Sequence, residues 1–146
     1  MTRYFTVLPF LFISLLSMAQ KSPVSWSFSL DKTQAQTSEF KATAQINKGW
    51  NIYAVYMSDE GPIPTSFTFD QVQNGVMDGK IKEMSKAIKG FDELFEMEVV
   101  KFKEEAVFTQ AFTTTGALQV KGSVTFMCCD SERCLPPATV QFDLKQ

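Results

Sequence analysis

The stretch SWSFSL, residues 25–30, decides the fold class of this chain. Its two aromatic residues and Leu30 alternate with serines, so one face of the segment is apolar and the other is polar. A period of two is typical of a half-buried β-strand, because successive side chains point to opposite faces. Residues 40–46, FKATAQI, repeat the alternation, and residues 47–49, NKG, predict a turn before the next strand.

Further short segments of the same kind extend to the end of the chain. Together with the first two they predict eight or nine strands separated by turn signals, the pattern of an all-β sandwich. Residues 72–89 are the least clear, because Ile81, Met84 and Ile88 fit a helical face while glycines disfavour a long helix. The additional candidate strands are residues 50–56, 66–69, 98–102, 106–112, 117–120, 123–127 and 140–144.

Composition excludes several classes of function. The chain has 146 residues, of which 45% are hydrophobic, which suits one globular domain. With 14 Lys and Arg against 16 Asp and Glu, the net charge is −2. No excess of positive charge is available to neutralise phosphates, so we expect no nucleic-acid partner. No His is present, which excludes a Ser-His-Asp triad, a Cys-His dyad and a His-ligated metal.

The N-terminal residues predict a signal peptide. A positively charged start is followed by an apolar run over residues 5–16, and residues 17–19, SMA, fit a small-x-small cleavage site before Gln20. The apolar run is shorter than the about 20 residues that a membrane-spanning helix needs. We therefore expect residues 1–19 to be removed and residues 20–146 to form one exported domain that does not span the membrane, in a compartment where disulfides persist.

The three cysteines lie in one short segment, residues 123–137, SVTFMCCDSERCLPP. Cys128 and Cys129 end a predicted strand, four residues turn the chain, and Cys134 returns before two prolines. Two cysteines that flank a tight turn can approach to disulfide distance. Because consecutive residues of a strand point to opposite faces, only one of the adjacent cysteines can face Cys134 well. The residues alone leave open which one it is.

Two structural interpretations of this segment compete with a reactive one. The first is a disulfide staple with a spare thiol, but closing a loop of about six residues contributes only about 2 kcal/mol in the chain-entropy model. The second is a metal site, but three cysteines without His, two of them adjacent, make a poor tetrahedral set. We expect neither a metal nor another cofactor. A short bridge on an exposed turn is instead well placed for attack by another thiolate.

The segment VTFMCCDSERCLPP resembles the active-site segment of the N-terminal periplasmic domain of the disulfide reductase DsbD. Residues 48–53, KGWNIY, and 91–95, FDELF, are also similar to segments of that family. The resemblance implies an immunoglobulin-like β-sandwich with a redox-active cysteine pair. Matched residue by residue, the pair is Cys129 and Cys134, with Cys128 as the alternative to Cys129.

The same resemblance implies a cap loop over the disulfide. In this sequence the cap is formed by Asp92, Glu93, Leu94 and Phe95, with Leu94 or Phe95 as the apolar shield. Asp92 and Glu93 are also candidate proton acceptors, because no His is available.

The implied activity is that of a thiol:disulfide oxidoreductase of the protein-disulfide reductase type. A thioredoxin-like domain of a membrane electron carrier would be the donor, and periplasmic disulfide proteins would be the acceptors. The chain ends at Gln146 without the family's membrane region or thioredoxin-like domain, so we expect the donor to lie on another polypeptide. The alternative is a non-enzymatic immunoglobulin-like binding module with a structural disulfide.

Overall fold

Nine β-strands follow one another in a computed structural model that describes residues 22–58 and 60–146. The expected signal peptide and Gln20 lie outside the described residues. The number of strands agrees with the prediction, and no segment of the described chain is helical, so the helical option for residues 72–89 is wrong. The strands are β1 (Val24–Gln34), β2 (Thr37–Ile46), β3 (Asn51–Tyr53), β4 (Ser66–Glu83), β5 (Ile88–Asp92), β6 (Met97–Phe102), β7 (Glu105–Phe126), β8 (Cys128–Cys129) and β9 (Ala138–Lys145).

The strands form two antiparallel sheets. The larger sheet has the order β1-β2-β7-β4, with β9 also paired to β7. The smaller sheet has the order β5-β6-β3-β8. Strand β7 is 22 residues long and is the centre of the larger sheet. It pairs with β4 along one edge, and with β2 and then β9 along the other.

Several strand boundaries differ from the sequence prediction. Strand β7 joins into one the three segments expected at 106–112, 117–120 and 123–127, because β4 spans them all on one edge. Strand β4 extends the short prediction at 66–69 through to Glu83. It lies at a sheet edge with many exposed side chains, so its apolar alternation is weak and its backbone pairing defines it. The strand expected at residues 50–56 is confirmed only for Asn51–Tyr53.

Aromatic side chains dominate the core between the sheets. Trp26 of β1 lies 5.9 Å from Phe108 and 5.4 Å from Phe126 between ring centroids. Phe40 of β2 lies 4.7 Å from Phe142 of β9. Burying one such ring stabilises the fold by roughly 1.5–3 kcal/mol, which makes this the main source of stability. The smaller sheet contributes to the same core through Ile52, Phe102 and Cys128.

The smaller sheet also has a second apolar face, which points away from this core. Because side chains alternate along each strand, the residues next to the core-facing ones, Tyr53 and Cys129, lie on that outer face with Val99. These three buried residues form a separate cluster, which we call the outer cluster. Partly buried side chains pack against it: Met57, Phe95, Met97, Met127 and Cys134. The described residues contain no helix with the length and hydrophobicity of a membrane span.

Candidate redox site

A disulfide joins Cys129 to Cys134. The two residues form an isolated antiparallel bridge, which brings their Cα atoms to 4.0 Å. The intervening turn is closed by a hydrogen bond of 2.9 Å from the amide of Asp130 to the carbonyl of Arg133. The Asp130 carboxylate accepts from the amides of Glu132 and Arg133, each at 2.8 Å. These two backbone hydrogen bonds lower the pKa of the Asp130 carboxyl.

The adjacent cysteines do not extend the strand that precedes them. We expected residues 123–127 to carry both cysteines at the end of one strand, but β7 ends at Phe126 in the larger sheet. Cys128 and Cys129 form β8, which pairs with β3 in the smaller sheet. Because the chain changes sheet at Met127, the side chains of Cys128 and Cys129 lie on opposite faces of the smaller sheet.

Cys128 is a buried free thiol on the side away from the disulfide. Its side chain belongs to the main core and is 3% exposed. Burial, and secondarily the negative charge of Asp130, raises the pKa of Cys128 to about 11. Of the two adjacent cysteines, Cys129 therefore holds the bridge to Cys134, and Cys128 stays protonated at neutral pH.

The hairpin between β5 and β6 packs against the outer cluster, which includes Cys129 of the disulfide. Phe95, at its tip, packs against the outer cluster and meets the ring of Tyr53 edge-on at 5.9 Å between centroids. Leu94 points outward and is 41% exposed, and Glu93 is exposed. Among the expected cap residues, Phe95 is thus the one whose side chain packs on the outer cluster, to which Cys129 belongs and against which Cys134 also packs.

Asp92 is the last residue of β5 and lies immediately before the tip of this hairpin. Its side chain is buried, and one carboxylate oxygen accepts from the amide of Leu94 at 3.1 Å. The other oxygen accepts from Nζ of Lys101 at 2.8 Å. Both oxygens are engaged, so Asp92 has a structural place in the hairpin. Lys101 is not among the residues predicted from the sequence, although the alternation of β6 places it on the same face as Val99.

The uncharged aromatic ring of Tyr53 packs with Cys129 of the disulfide in the outer cluster. Its hydroxyl is buried and has no hydrogen-bond partner among the described residues. Desolvation, and secondarily the charges of Asp92 and Cys128, raises the pKa of Tyr53 well above its ordinary value. The nearby Tyr56 does not belong to the outer cluster. Its exposed hydroxyl donates to the carbonyl of Ile81 at 2.6 Å.

A surface cleft of about 530 Å³ is lined by residues that precede and follow Cys134 in sequence. Its walls include Trp50, Arg133 and Leu135, and Cys128 contributes to its lining. The Arg133 guanidinium lies 5.9 Å from the centroid of the Trp50 ring. The sequence neighbours of Cys134 thus line the cleft, whereas Cys134 itself packs against the outer cluster. In the part of the chain that the structure describes, His, Cys, Asp and Glu form no group of three that could hold a metal.

Two solved domains of known proteins are similar in structure to this chain. The chain is similar to the reduced N-terminal domain of DsbD from Neisseria meningitidis, with 17% identity, a TM-score of 0.52, and coverage of 83% of this chain and 85% of that one. It is also similar to the N-terminal periplasmic domain of ScsB from Proteus mirabilis, with 15% identity and a TM-score of 0.62. That match covers 89% of this chain and 48% of the other, so this chain spans about half the ScsB chain.

The likeness to these structures confirms the predicted fold class, an immunoglobulin-like β-sandwich. None of the curated proteins matches this chain. The family model described as the N-terminal part of the thiol:disulfide interchange protein DsbD matches residues 18–146. This chain therefore belongs to the family of DsbD N-terminal domains.

Proposed function

We propose that this chain is an extracytoplasmic thiol:disulfide exchange module that relays electrons through Cys129 and Cys134. The observation that carries the proposal is the position of the disulfide, which spans a sequence separation of five on a surface turn and belongs to an apolar cluster on which Phe95 packs. As a staple it would contribute only about 2 kcal/mol, while the aromatic core stabilises the domain elsewhere. Family membership supports the same chemistry.

The exposure of the two sulfurs favours Cys134 as the site of attack. Cys129 is fully buried in the outer cluster, whereas Cys134 is only partly buried at the end of the turn. An attacking thiolate needs access to one sulfur along the axis of the disulfide bond. An incoming thiolate therefore reaches Cys134 once Phe95 moves aside.

Reduction of the chain then proceeds in two exchange steps. A donor thiolate attacks Sγ of Cys134, a donor–Cys134 disulfide forms, and Cys129 leaves as a thiolate that takes up a proton. The second donor thiolate attacks the donor sulfur of this mixed disulfide, and Cys134 leaves and is protonated in turn. Two electrons and two protons have passed from the donor dithiol to the chain, and the donor is left as a disulfide.

The reduced pair passes its electrons on by the reverse chemistry. The Cys134 thiolate attacks an acceptor disulfide, and Cys129 resolves the mixed disulfide. We propose a thioredoxin-like domain of a membrane electron carrier as the donor and periplasmic disulfide proteins as acceptors, which makes the chain a protein-disulfide reductase. The similar ScsB domain is periplasmic, which supports a periplasmic location for residues 20–146 after cleavage of residues 1–19.

Trapping experiments test the assignment of the two cysteines. A thioredoxin whose second active-site cysteine is replaced by serine is activated as a mixed disulfide with thionitrobenzoate and mixed with variants of the chain in which one cysteine is replaced by serine. The Cys129→Ser variant keeps the accessible sulfur, so we expect it to displace thionitrobenzoate and form a stable covalent adduct. The Cys134→Ser variant keeps only the buried Cys129 and Cys128, so we expect little adduct.

Two further measurements separate exchange from a structural role. The Cys128→Ala variant, with the disulfide intact, is the control and should be reduced by thioredoxin as fast as the parent chain. The parent chain should be fully reduced by catalytic thioredoxin with its reductase while it stays folded by circular dichroism. A bridge that thioredoxin leaves intact, or a chain that unfolds when the bridge is reduced, would instead identify a binding module with a structural disulfide.

A further inference from the structure

We propose that Lys101 is a positioning residue, whose ammonium group holds the cap closed over the Cys129–Cys134 disulfide through Asp92. This inference rests on the proposed function, because it concerns access to the same disulfide. Lys101 lies in β6 and does not belong to the cap loop itself. We infer its role from two observations: the carboxylate of Asp92 is buried, and the ammonium group that pairs with it comes from strand β6.

Asp92 is an unusual residue for its surroundings. Its side chain is 8% exposed, and it is the one charged residue among those buried in the described part of the chain. A buried carboxylate is costly unless it is paired and hydrogen-bonded. The pair with Lys101, at 2.8 Å, and the bond from the Leu94 amide meet both conditions.

Lys101 lies further inside the sheet than the carboxylate it binds. Strand β6 lies inside the smaller sheet, between β5 and β3, so Lys101 is paired to Ile88 on one side and to Tyr53 on the other. Asp92, in contrast, is the last residue of the edge strand β5, immediately before the hairpin tip. The ion pair therefore joins the end of the edge strand β5 to the inner strand β6.

The ion pair and the aromatic cover act on the same short segment. The Asp92 carboxylate fixes the amide of Leu94, and the next residue is Phe95, which packs on the outer cluster with Cys129 and Cys134. If the cation is lost, the Asp92 carboxylate keeps its charge without a partner and must be rehydrated, and we expect the hairpin tip that carries it to move outward. Phe95 would then leave the disulfide, so we expect the sulfurs to become more accessible.

The rate at which dithiothreitol reduces the disulfide measures this access directly. Dithiothreitol supplies two electrons and two protons and becomes a cyclic disulfide, so no protein partner is needed. We expect the Lys101→Met variant, which keeps the length of the side chain without its charge, to be reduced about tenfold faster than the parent chain. Lys101→Arg keeps the cation, and we expect it to restore the parent rate to within about twofold.

The chain contains a matched control. Lys121 forms an ion pair of similar length, 2.7 Å, with Asp143, but both side chains are largely exposed and lie on β7 and β9 of the other sheet. Such exposed pairs contribute little. The Lys121→Met variant should therefore be reduced at the parent rate.

A double variant separates positioning from simple loss of packing. In Asp92→Asn with Lys101→Met no buried charge remains, and the neutral amide oxygen can still accept from Leu94. We expect this variant to be reduced more slowly than Lys101→Met alone, and it also serves if the single variant fails to fold. A Lys101→Met rate equal to that of Lys121→Met, or a double variant as fast as Lys101→Met, would overturn the proposal.

These outcomes are independent of the proposed exchange with proteins. If thioredoxin fails to reduce the parent chain but the dithiothreitol rates follow the expected order, the exchange function fails while the role of Lys101 stands. If thioredoxin reduces the parent chain and Lys101→Met changes neither rate, the exchange function stands and the role of Lys101 fails.

Discussion

The side-chain amide of Asn51 donates a hydrogen bond of 3.1 Å to the carbonyl oxygen of Cys129. The two residues are directly opposite one another in the pairing of β3 with β8, and both are buried. Strand β8 contains only two residues, so this bond adds a contact from a side chain to a very short backbone ladder. The position of the bridged cysteine thus depends on a polar group in β3.

Removal of this side chain should destabilise the domain. In Asn51→Ala the buried carbonyl of Cys129 loses its side-chain donor, so we expect the free energy of unfolding to fall by about 1–3 kcal/mol. Urea denaturation followed by fluorescence measures the change. Gln45→Ala removes an exposed side-chain hydrogen bond to Glu105 and should shift the free energy by at most about 0.5 kcal/mol. Equal effects of the two substitutions would contradict the assigned role of Asn51.

Cys128 should resist alkylation in the native chain. Its pKa is raised from 9.0 to about 11 by burial and by the charge of Asp130, and the reactive species is the thiolate. We expect iodoacetamide at neutral pH to modify Cys128 in urea but not in the folded protein, as measured by mass spectrometry. Equal labelling rates in the two states would show that the thiol is accessible.

The same shift predicts how stability depends on pH. The folded chain holds the Cys128 proton more tightly than the unfolded chain, so this stabilising contribution is fully present below pH 9.0 and is lost as the pH rises towards about 11. The free energy of unfolding of the parent chain, taken relative to Cys128→Ala, should fall over that range. A flat difference across the range would place the thiol in a solvated environment.

Phe95 should protect the disulfide from small thiols. Replacement by Ala removes a partly buried ring worth about 1–2 kcal/mol to the closed cap, so we expect reduction by dithiothreitol to be about 5–30 times faster. Phe91 lies in the same hairpin but is 62% exposed, and Phe91→Ala should leave the rate unchanged. The expectation fails if both variants are reduced at the same rate.

Gly122 should tolerate no side chain. A Cβ at this position would collide with the carbonyl oxygen of Thr68, and it would lie 2.8 Å from Cζ of Phe142. We therefore expect Gly122→Ala to lower the free energy of unfolding by about 1–3 kcal/mol or more, through overpacking between β4 and β9. Gly90→Ala, where a Cβ meets nothing within 4 Å, is the control and should be close to neutral.

The strands that could be predicted are those with one face in the core. β1 and β2 alternate between apolar and polar residues because one side of each meets the aromatic core. The edge strand β4 could not be bounded in this way, since its exposed side chains carry no clear period and β7 supplies its hydrogen bonds. For a related reason the sequence did not predict that β7 is one continuous strand. Its partner along one edge changes from β2 to β9.

The site could be predicted in part. The spacing of the cysteines made Cys134 a candidate site residue, and the similarity of the cap segment did the same for Phe95. In the structure both side chains pack against the outer cluster. Lys101 was missed because its partner Asp92 lies in the neighbouring strand, nine residues away in sequence. A lysine in an alternating strand carries no local sign that it faces a buried carboxylate.

The sequence by itself determined that this chain is all-β, that it has no imidazole chemistry, and that its three cysteines lie around one turn. These properties follow from local periodicity and composition, which need no knowledge of neighbouring strands. Only the tertiary structure decided that Cys129, and not Cys128, faces Cys134. Because side chains alternate along a strand, Cys128 and Cys129 must point to opposite faces. Which of those faces packs in the core depends on the sheet that β8 joins, and β8 pairs there with β3, which is distant in the chain.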